Sequence, residues 1–256
     1  MSKSDNLTDL KTLLKQRGFS DISAQIWAEF AQHVLELYWR AADQLIEPTN
    51  WAFFMQKAGA MGKPKRGRVD FTVRAPMEDA ITSEIGYRAD ELFKELPSDH
   101  FLRRHSVKLD YEKLVPSENR AGRHSKKIDF YAVSQYFDAP EIAIEAKPIK
   151  AHADINSQYL GAAGLGCFLT SDSPYTKGPL AALLAYTINS DGCRMQEQIR
   201  TALQAYQPAP TQIRRTSFRC TGTVDFSNHD RVQWNMKPVS ILHLERVFPL
   251  DMQQFK

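Results

Sequence analysis

Three residues in the middle of the chain have types and spacing suited to chemistry: Asp129, Glu145 and Lys147. In the run 126–133, alternation sets Ile128, Phe130 and Ala132 on one side of a strand and Tyr131 and Val133 on the other, so Asp129 interrupts an apolar segment. An ionised carboxylate in such a strand is costly unless a cation, a metal ion or several donors meet it. The run 141–147 offers partners. There Ile142, Ile144 and Ala146 share one face, and Glu141, Ala143, Glu145 and Lys147 share the other. A hairpin whose turn, 134–140, is centred on Phe137 sets Asp129 across from Glu145, and a one-residue slip would part them. Two ionised carboxylates that close call for a divalent cation, and hard oxygen ligands suit Mg²⁺ or Mn²⁺. A charged Lys147 cannot ligate it. Its uses would be to orient or help deprotonate an attacking water and to stabilise added negative charge on a phosphate. The competing reading is an edge strand with a solvated Glu and Lys. Asp9-Leu10-Lys11 shows that acid-x-Lys triplets also arise elsewhere, there in an exposed helical pattern.

The surrounding elements must hold these residues in place. Leu10, Leu13 and Leu14 predict a short helix over 7–17, stopped by Gly18, and a longer amphipathic pattern predicts a helix over 22–46, ended by Pro48. A third helix is expected over 51–61. Trp27, Trp39 and Trp51 lie on apolar helical faces and read as core. Residues 1–62 thus form a helical N-terminal region, a packing layer or an oligomerisation surface, ahead of a domain over 63–256. Residues 59–67 break the pattern with three glycines and Pro64. A short strand is expected over 69–73, then a helix from Pro76 to about Leu96, with proline suited to its first turn. Beyond the two strands, 154–163 reads as helical with Asp154 as N-cap before Gly164 and Gly166 interrupt it. The runs 180–188, 217–226 and 239–248 read as strands, and 193–206 as a helix. Helices first, then mixed strands and helices, indicate an α/β or α+β core with a helical N-terminal extension.

Asp129 followed after a turn by Glu145-Ala146-Lys147 resembles the PD-(D/E)XK phosphodiesterase superfamily, with Ile128 standing where that name has a proline. The likeness covers residues 76–188. It implies a restriction-endonuclease-like fold, a mixed central sheet flanked by helices, and cleavage of nucleic acid that depends on a divalent metal. It also implies a third acid on a helix ahead of the Asp strand. On the helix over 76–96, Ile81, Ile85, Ala89, Leu92 and Leu96 define an apolar stripe; Glu78 falls within it and Glu84 and Glu91 well off it. Glu78 is therefore the candidate third ligand, or a partner for a metal-bound water; the alternative is an acid favoured in the first turn by the helix dipole. Gln158 stands where relatives of this kind offer a polar side chain to the site, and reads equally as a surface glutamine.

Arg120, Arg123, His124, Lys126 and Lys127 lead straight into the Asp129 strand, and Lys63, Lys65, Arg66 and Arg68 form a second basic cluster. Of these, Lys65, Arg66, Arg68, Arg123, Lys126 and Lys127 are the candidate nucleic-acid contacts, with solvated loops as the alternative. Composition sets limits only. A chain of 256 residues, 43% hydrophobic, can bury a core without disulfides. A net charge of +3 does not by itself indicate a polyanionic partner. Cys167, Cys193 and Cys220 are too far apart for a Cys-x-x-Cys clip and odd in number, which fits a reducing compartment. No secretory signal or membrane-crossing run is evident, so a soluble, cytoplasmic protein is expected. No short histidine metal motif, nucleophile elbow or phosphate-binding loop is present. The expectation is a Mg²⁺-dependent nuclease, acting on DNA before RNA and as an endonuclease before an exonuclease, in a setting such as restriction or phage defence. The alternatives are a non-catalytic nucleic-acid-binding or assembly module of the same fold, and a metal-dependent phosphohydrolase of small phosphate esters. A homodimer or a partner protein could use the N-terminal helices.

Overall fold

A computed structural model describes residues 7–62, 75–116, 124–136, 139–170, 172–188 and 192–249. Helices α1 (Thr8–Gln16), α2 (Asp21–Ile46) and α3 (Pro48–Gln56) come first, then α4 (Glu78–Lys94) and the short α5 (Phe101–Arg104). Strands β1 (Val107–Leu114), β2 (Lys127–Ser134) and β3 (Glu141–Ile149) follow, then a helical turn α6 (His152–Asp154) that runs into a π turn, Ile155–Tyr159. Strand β4 (Leu180–Thr187), helix α7 (Gln196–Ala205), and strands β5 (Gln212–Phe218), β6 (Gly222–His229) and β7 (Val239–Val247) complete the order. The seven strands form one mixed sheet in the order β1-β2-β3-β4-β7-β6-β5. The central pairs β3/β4 and β4/β7 are parallel and the flanking pairs antiparallel. This is the mixed α/β architecture that the order of patterns predicts.

Each face of the sheet carries its own core. On one face Phe130, Ala132, Ile142, Ile144, Leu184 and Leu244 pack with residues of α1 to α4, so the N-terminal helices share a single apolar cluster with the sheet. On the other, Ala143, Leu183, Ala185 and Ile241 pack beneath Ile155, Tyr159, Leu165 and Phe168, and beneath Ile199 and Leu203 of α7. Trp27 and Trp51 are buried in the first cluster, as their helical positions predict. Among the described residues no helix is long and apolar enough to cross a membrane.

Several expectations are corrected. The run 217–226 is two strands, because the chain turns at Arg219–Thr221 and Gly222 takes a positive φ of 70°. Helix α3 starts at Pro48, three residues before the expected start, and stops at Gln56. Asp154 is not an N-cap: its Oδ2 accepts from the N–H groups of Lys150 and Ala151, 2.8 and 2.9 Å away, and closes the turn from inside. Ile128 does not share a face with Phe130 and Ala132 but packs with Tyr131 and Ala143 on the opposite one. The alternation breaks at Asp129, where the ladder lacks a pair on both sides. The expected strand over 69–73 lies outside the described residues.

Helix α4 is seated by two contacts. Thr82 Oγ1 and Tyr186 Oη of β4 are 3.2 Å apart in the core, and Gly86 lets the Tyr111 ring of β1 lie against the helix backbone. A Cβ at Gly86 would stand 2.5 Å from the ring carbon Cγ and 2.8 Å from Cβ of Tyr111. Gly86→Ala therefore forces helix and strand apart, and is expected to cost ~1–3 kcal/mol despite alanine's better helix propensity. Urea denaturation followed by circular dichroism checks this; an unchanged or raised midpoint would contradict the close packing.

Candidate metal centre

The hairpin register predicted from the turn is the one observed. Phe130 pairs with Ile144, Tyr131 with Ala143, Ala132 with Ile142 and Val133 with Glu141. The ladder stops one step short of Asp129 and Glu145. On the other side, Tyr111 pairs with Phe130 and Lys113 with Ile128, so the ladder steps over the position where Glu112 faces Asp129. Glu112 has a φ of 51°, unusual for a side chain of its size. At this gap the Asp129 carboxylate replaces a backbone acceptor: its Oδ2 takes the N–H of Ala146 at 2.7 Å. The side chain thus supplies an acceptor where its own strand lacks a ladder pair.

Glu78 opens α4, four residues before Thr82 and on the same side of the helix. The Thr82–Tyr186 contact therefore also directs Glu78 toward the ends of β2 and β3. One oxygen each from Glu78, Asp129 and Glu145 lies within 4.8 Å of the other two. Lys147 Nζ stands 2.6 Å from Glu78 Oε1 and 2.7 Å from Glu145 Oε1, bridging the helix and the strand. All four residues singled out by the sequence meet at one point.

The electrostatics are those of a cluster with too little positive charge. Three carboxylates face one ammonium, and Glu145 is only 4% exposed. Burial, with the charges of Lys147 and the Ala146 N–H working against it, pushes Asp129 up to about 6. Burial and then the neighbouring Asp129 push Glu145 well above the carboxylate range. Burial pulls the other way on Lys147, but Glu145, Glu78 and Asp129 outweigh it and hold the ammonium charged. The Cys167 thiol and the Tyr175 hydroxyl are also raised, by burial first and by the charge of Glu145 second.

The residues fit a hard divalent cation. Oε2 of Glu145 is buried without a hydrogen-bond partner, a position that an oxygen-seeking cation would satisfy. Two oxygens on one Mg²⁺ stand about 3–4 Å apart, so small side-chain rotations would bring the three carboxylates into one coordination sphere.

The other candidates are distributed differently. Lys126 Nζ donates to the carbonyl of Asp172 at 2.7 Å, and Lys127 is exposed and lies 3.6 Å from Glu112. Lys63, Lys65, Arg66, Arg68, Arg120 and Arg123 lie outside the described residues. The flanks of the first basic segment meet, since Gly62 N–H donates to Ala75 O and Met77 N–H to Ala60 O, both at 2.9 Å, immediately ahead of Glu78. The flanks of the second meet through Val115 N–H and Lys126 O at 2.8 Å, ahead of Asp129. Gln158 is exposed on the π turn. Sequence reasoning missed Glu112 and the Thr82–Tyr186 contact. Only the position of Thr82, four residues after Glu78, could have hinted at the second.

The raised carboxylates give a signed pH dependence. In the unfolded chain Asp129 ionises near its ordinary 3.8, but in the metal-free fold only near 6. The unfolded state releases its proton first, so this contribution to metal-free stability falls as pH rises from about 4 to about 6 and stays lost above. Protons and a cation compete for the same oxygens. Mg²⁺ or Mn²⁺ is therefore expected to raise the thermal midpoint above about pH 6 and to lose that effect below about pH 5. Unfolding scans across this range, with EDTA or with Mn²⁺, measure it. A shift that ignores pH, or that survives in Asp129→Asn/Glu145→Gln, would exclude the centre. No protein-family model, no curated protein and no solved structure matches the chain.

Proposed function

We propose that the chain is a divalent-metal-dependent nuclease that hydrolyses phosphodiester bonds, with DNA as substrate and a restriction-endonuclease-like core. The observation that carries this reading is the convergence of Glu78, Asp129 and Glu145 around Lys147, from one helix and two strands. Support for a polymeric substrate comes from the sequence and the chain path: the described residues that bracket each basic segment meet immediately ahead of an acid of the cluster.

When bound, Mg²⁺ or Mn²⁺ would supply charge neutralisation and polarisation of a phosphoryl oxygen. Glu78, Asp129 and Glu145 would hold it, and Asp129 is fixed for the task by its bond from Ala146 N–H. Lys147 stays an ammonium, because its acidic neighbours hold its proton. It is thus a donor, not a base: it orients the attacking water through that water's lone pair and steadies the negative charge that builds on the phosphate. Glu78 is the acid of the three best placed to pass the water's proton to solvent, since its side chain is 25% exposed against 5% for Glu145. Water attacks phosphorus, the bond from phosphorus to the leaving ribose oxygen breaks, and that oxygen takes up a proton.

Supercoiled plasmid, linear duplex and single-stranded RNA, incubated with the purified chain and Mg²⁺ or Mn²⁺, test the proposal. Cutting of DNA is expected with metal and not with EDTA. Lys147→Ala and Glu145→Ala should each lower the rate by at least ~100-fold while retaining the circular dichroism of the parent. If no nucleic acid is cut, or if folded variants cut as the parent does, the assignment fails.

A further inference from the structure

Away from the acid cluster, β6 and β7 bury a chain of neutral polar groups. Tyr159 Oη donates to the carbonyl of Leu183 at 2.9 Å and lies 3.2 Å from Nδ1 of His243. His243 Nε2 is 2.7 Å from Ser227 Oγ, and Ser227 Oγ is 2.7 Å from His229 Nε2. Burial holds both histidines neutral, His243 down at about 3 and His229 at about 4.

The proton positions follow from one end. A carbonyl cannot donate, so the Tyr159 proton is committed to Leu183. His243 must then carry its proton on Nδ1 and donate it to Tyr159. Its Nε2 is bare and accepts the Ser227 proton. Ser227 has no second proton, so His229 donates from Nε2 and leaves Nδ1 as an unprotonated acceptor.

His229 lines a cavity of about 390 Å³ with Tyr206, Trp234, Leu169 and Asp230. The Tyr206 ring stands edge-on to the imidazole, 6.1 Å between centroids. Among the described residues no lysine or arginine lines the cavity, and the one acidic side chain there, Asp230, accepts from Val232 N–H. An anion is disfavoured there. A flat, uncharged ring suits the aromatic lining, and an N–H on that ring would answer the bare nitrogen of His229. The volume is in the range of sites for small molecules.

We infer that this cavity is a recognition pocket for a nucleobase, held by Tyr206 and Trp234 and read through a ring N–H donated to Nδ1 of His229. The choice of a nucleobase among flat N–H rings rests on the nuclease reading; the pocket itself does not. In a polynucleotide the base would enter unstacked, leaving its phosphates outside.

The test uses the full chain carrying Glu145→Gln, in EDTA, so that cleavage plays no part. In the free protein labelled with ¹⁵N-histidine, Nδ1 of His229, assigned by its loss in His229→Gln, is expected to resonate as an unprotonated nitrogen. Uridine and guanosine, or a single-stranded oligonucleotide, should move that resonance and quench the fluorescence that Trp234→Phe removes. 3-Methyluridine, without the ring N–H, should bind at least ~10-fold more weakly, and so should uridine to Trp234→Ala. Binding of the oligonucleotide alone places the base within a polymer, and binding of free nucleosides alone makes this a small-molecule pocket; either supports base recognition. A protonated Nδ1 in the free protein overturns the inference, as does equal binding of uridine and 3-methyluridine, or no response to any base. A chain that binds bases here but cuts nothing with Glu145 restored would fail the nuclease reading alone.

Discussion

The site depends on crowding three carboxylates, two of them at least partly shielded and Glu145 buried, around one buried ammonium. Burial raises the cost of every negative charge, and a single Lys147 cannot balance Glu78, Asp129 and Glu145 together. Other local features follow from this imbalance. Asp129 takes a backbone N–H as a further donor, at a position where the strand ladder is interrupted on both sides and beyond which Ile128 packs on the opposite face. Helix α4 must deliver Glu78 at its first turn, where the helix dipole helps, and Gly86 and Thr82 set its height against β1 and β4. A fold selected for stability alone would do better with apolar side chains at these positions.

A comparison within the same face of the sheet sharpens the point. Glu145 pairs with Leu183, Leu183 with His243, and His243 with Asp225, in one row across four strands. Asp225, even more buried than Glu145, is met by two guanidiniums, Arg200 at 2.9 Å and Arg215 at 3.2 Å. His243 is neutral and fully hydrogen-bonded. An unpartnered oxygen does not separate the two acids, because Asp225 Oδ2 and Glu245 Oε2 also lack partners. Charge does: Asp225 and Glu197 have two guanidiniums between them, with Arg215 shared, whereas Glu145 shares one ammonium with Glu78 and lies beside Asp129. Asp225 is built as a structural ion pair, and the acid cluster is built with a deficit that a divalent cation would fill.

What the sequence made legible follows from periodicity. A period of two and a centred turn fix the register of β2 and β3, and a period of 3.6 puts Glu78 on the buried face of α4; both are local rules, and both hold in the structure. Strand β1 does alternate, Val107, Leu109 and Tyr111 against Lys108, Asp110 and Glu112, but Lys113 breaks the pattern after six residues, and so charged an edge strand reads as a loop. The β5–β6 turn hid behind a run of strand-forming residues in which only Gly222 marks the reversal. The gap in the ladder at Asp129 has no local signal at all. The partner of Asp129, the N–H of Ala146, and the gap opposite Glu112 belong to neighbouring strands and exist only once three strands are assembled.

The polar interior of β6 and β7 was illegible for a different reason. Asp225, Ser227 and His229 alternate with Val224, Phe226 and Asn228, which in a sequence reads as a strand with one wet face. The structure buries that face beneath the π turn and α7. Tyr159 makes this affordable: its hydroxyl anchors the proton order of His243, Ser227 and His229, so the chain holds together without a charge and leaves only Nδ1 of His229 open. The π turn is what carries Tyr159 over the sheet, and it leaves so little room that a Cβ at Gly164 would stand 2.1 Å from the carbonyl oxygen of Tyr159. One face of the sheet thus contains two solutions to buried polarity. One is charged and short of a cation, and the other is neutral and ordered by a single tyrosine proton.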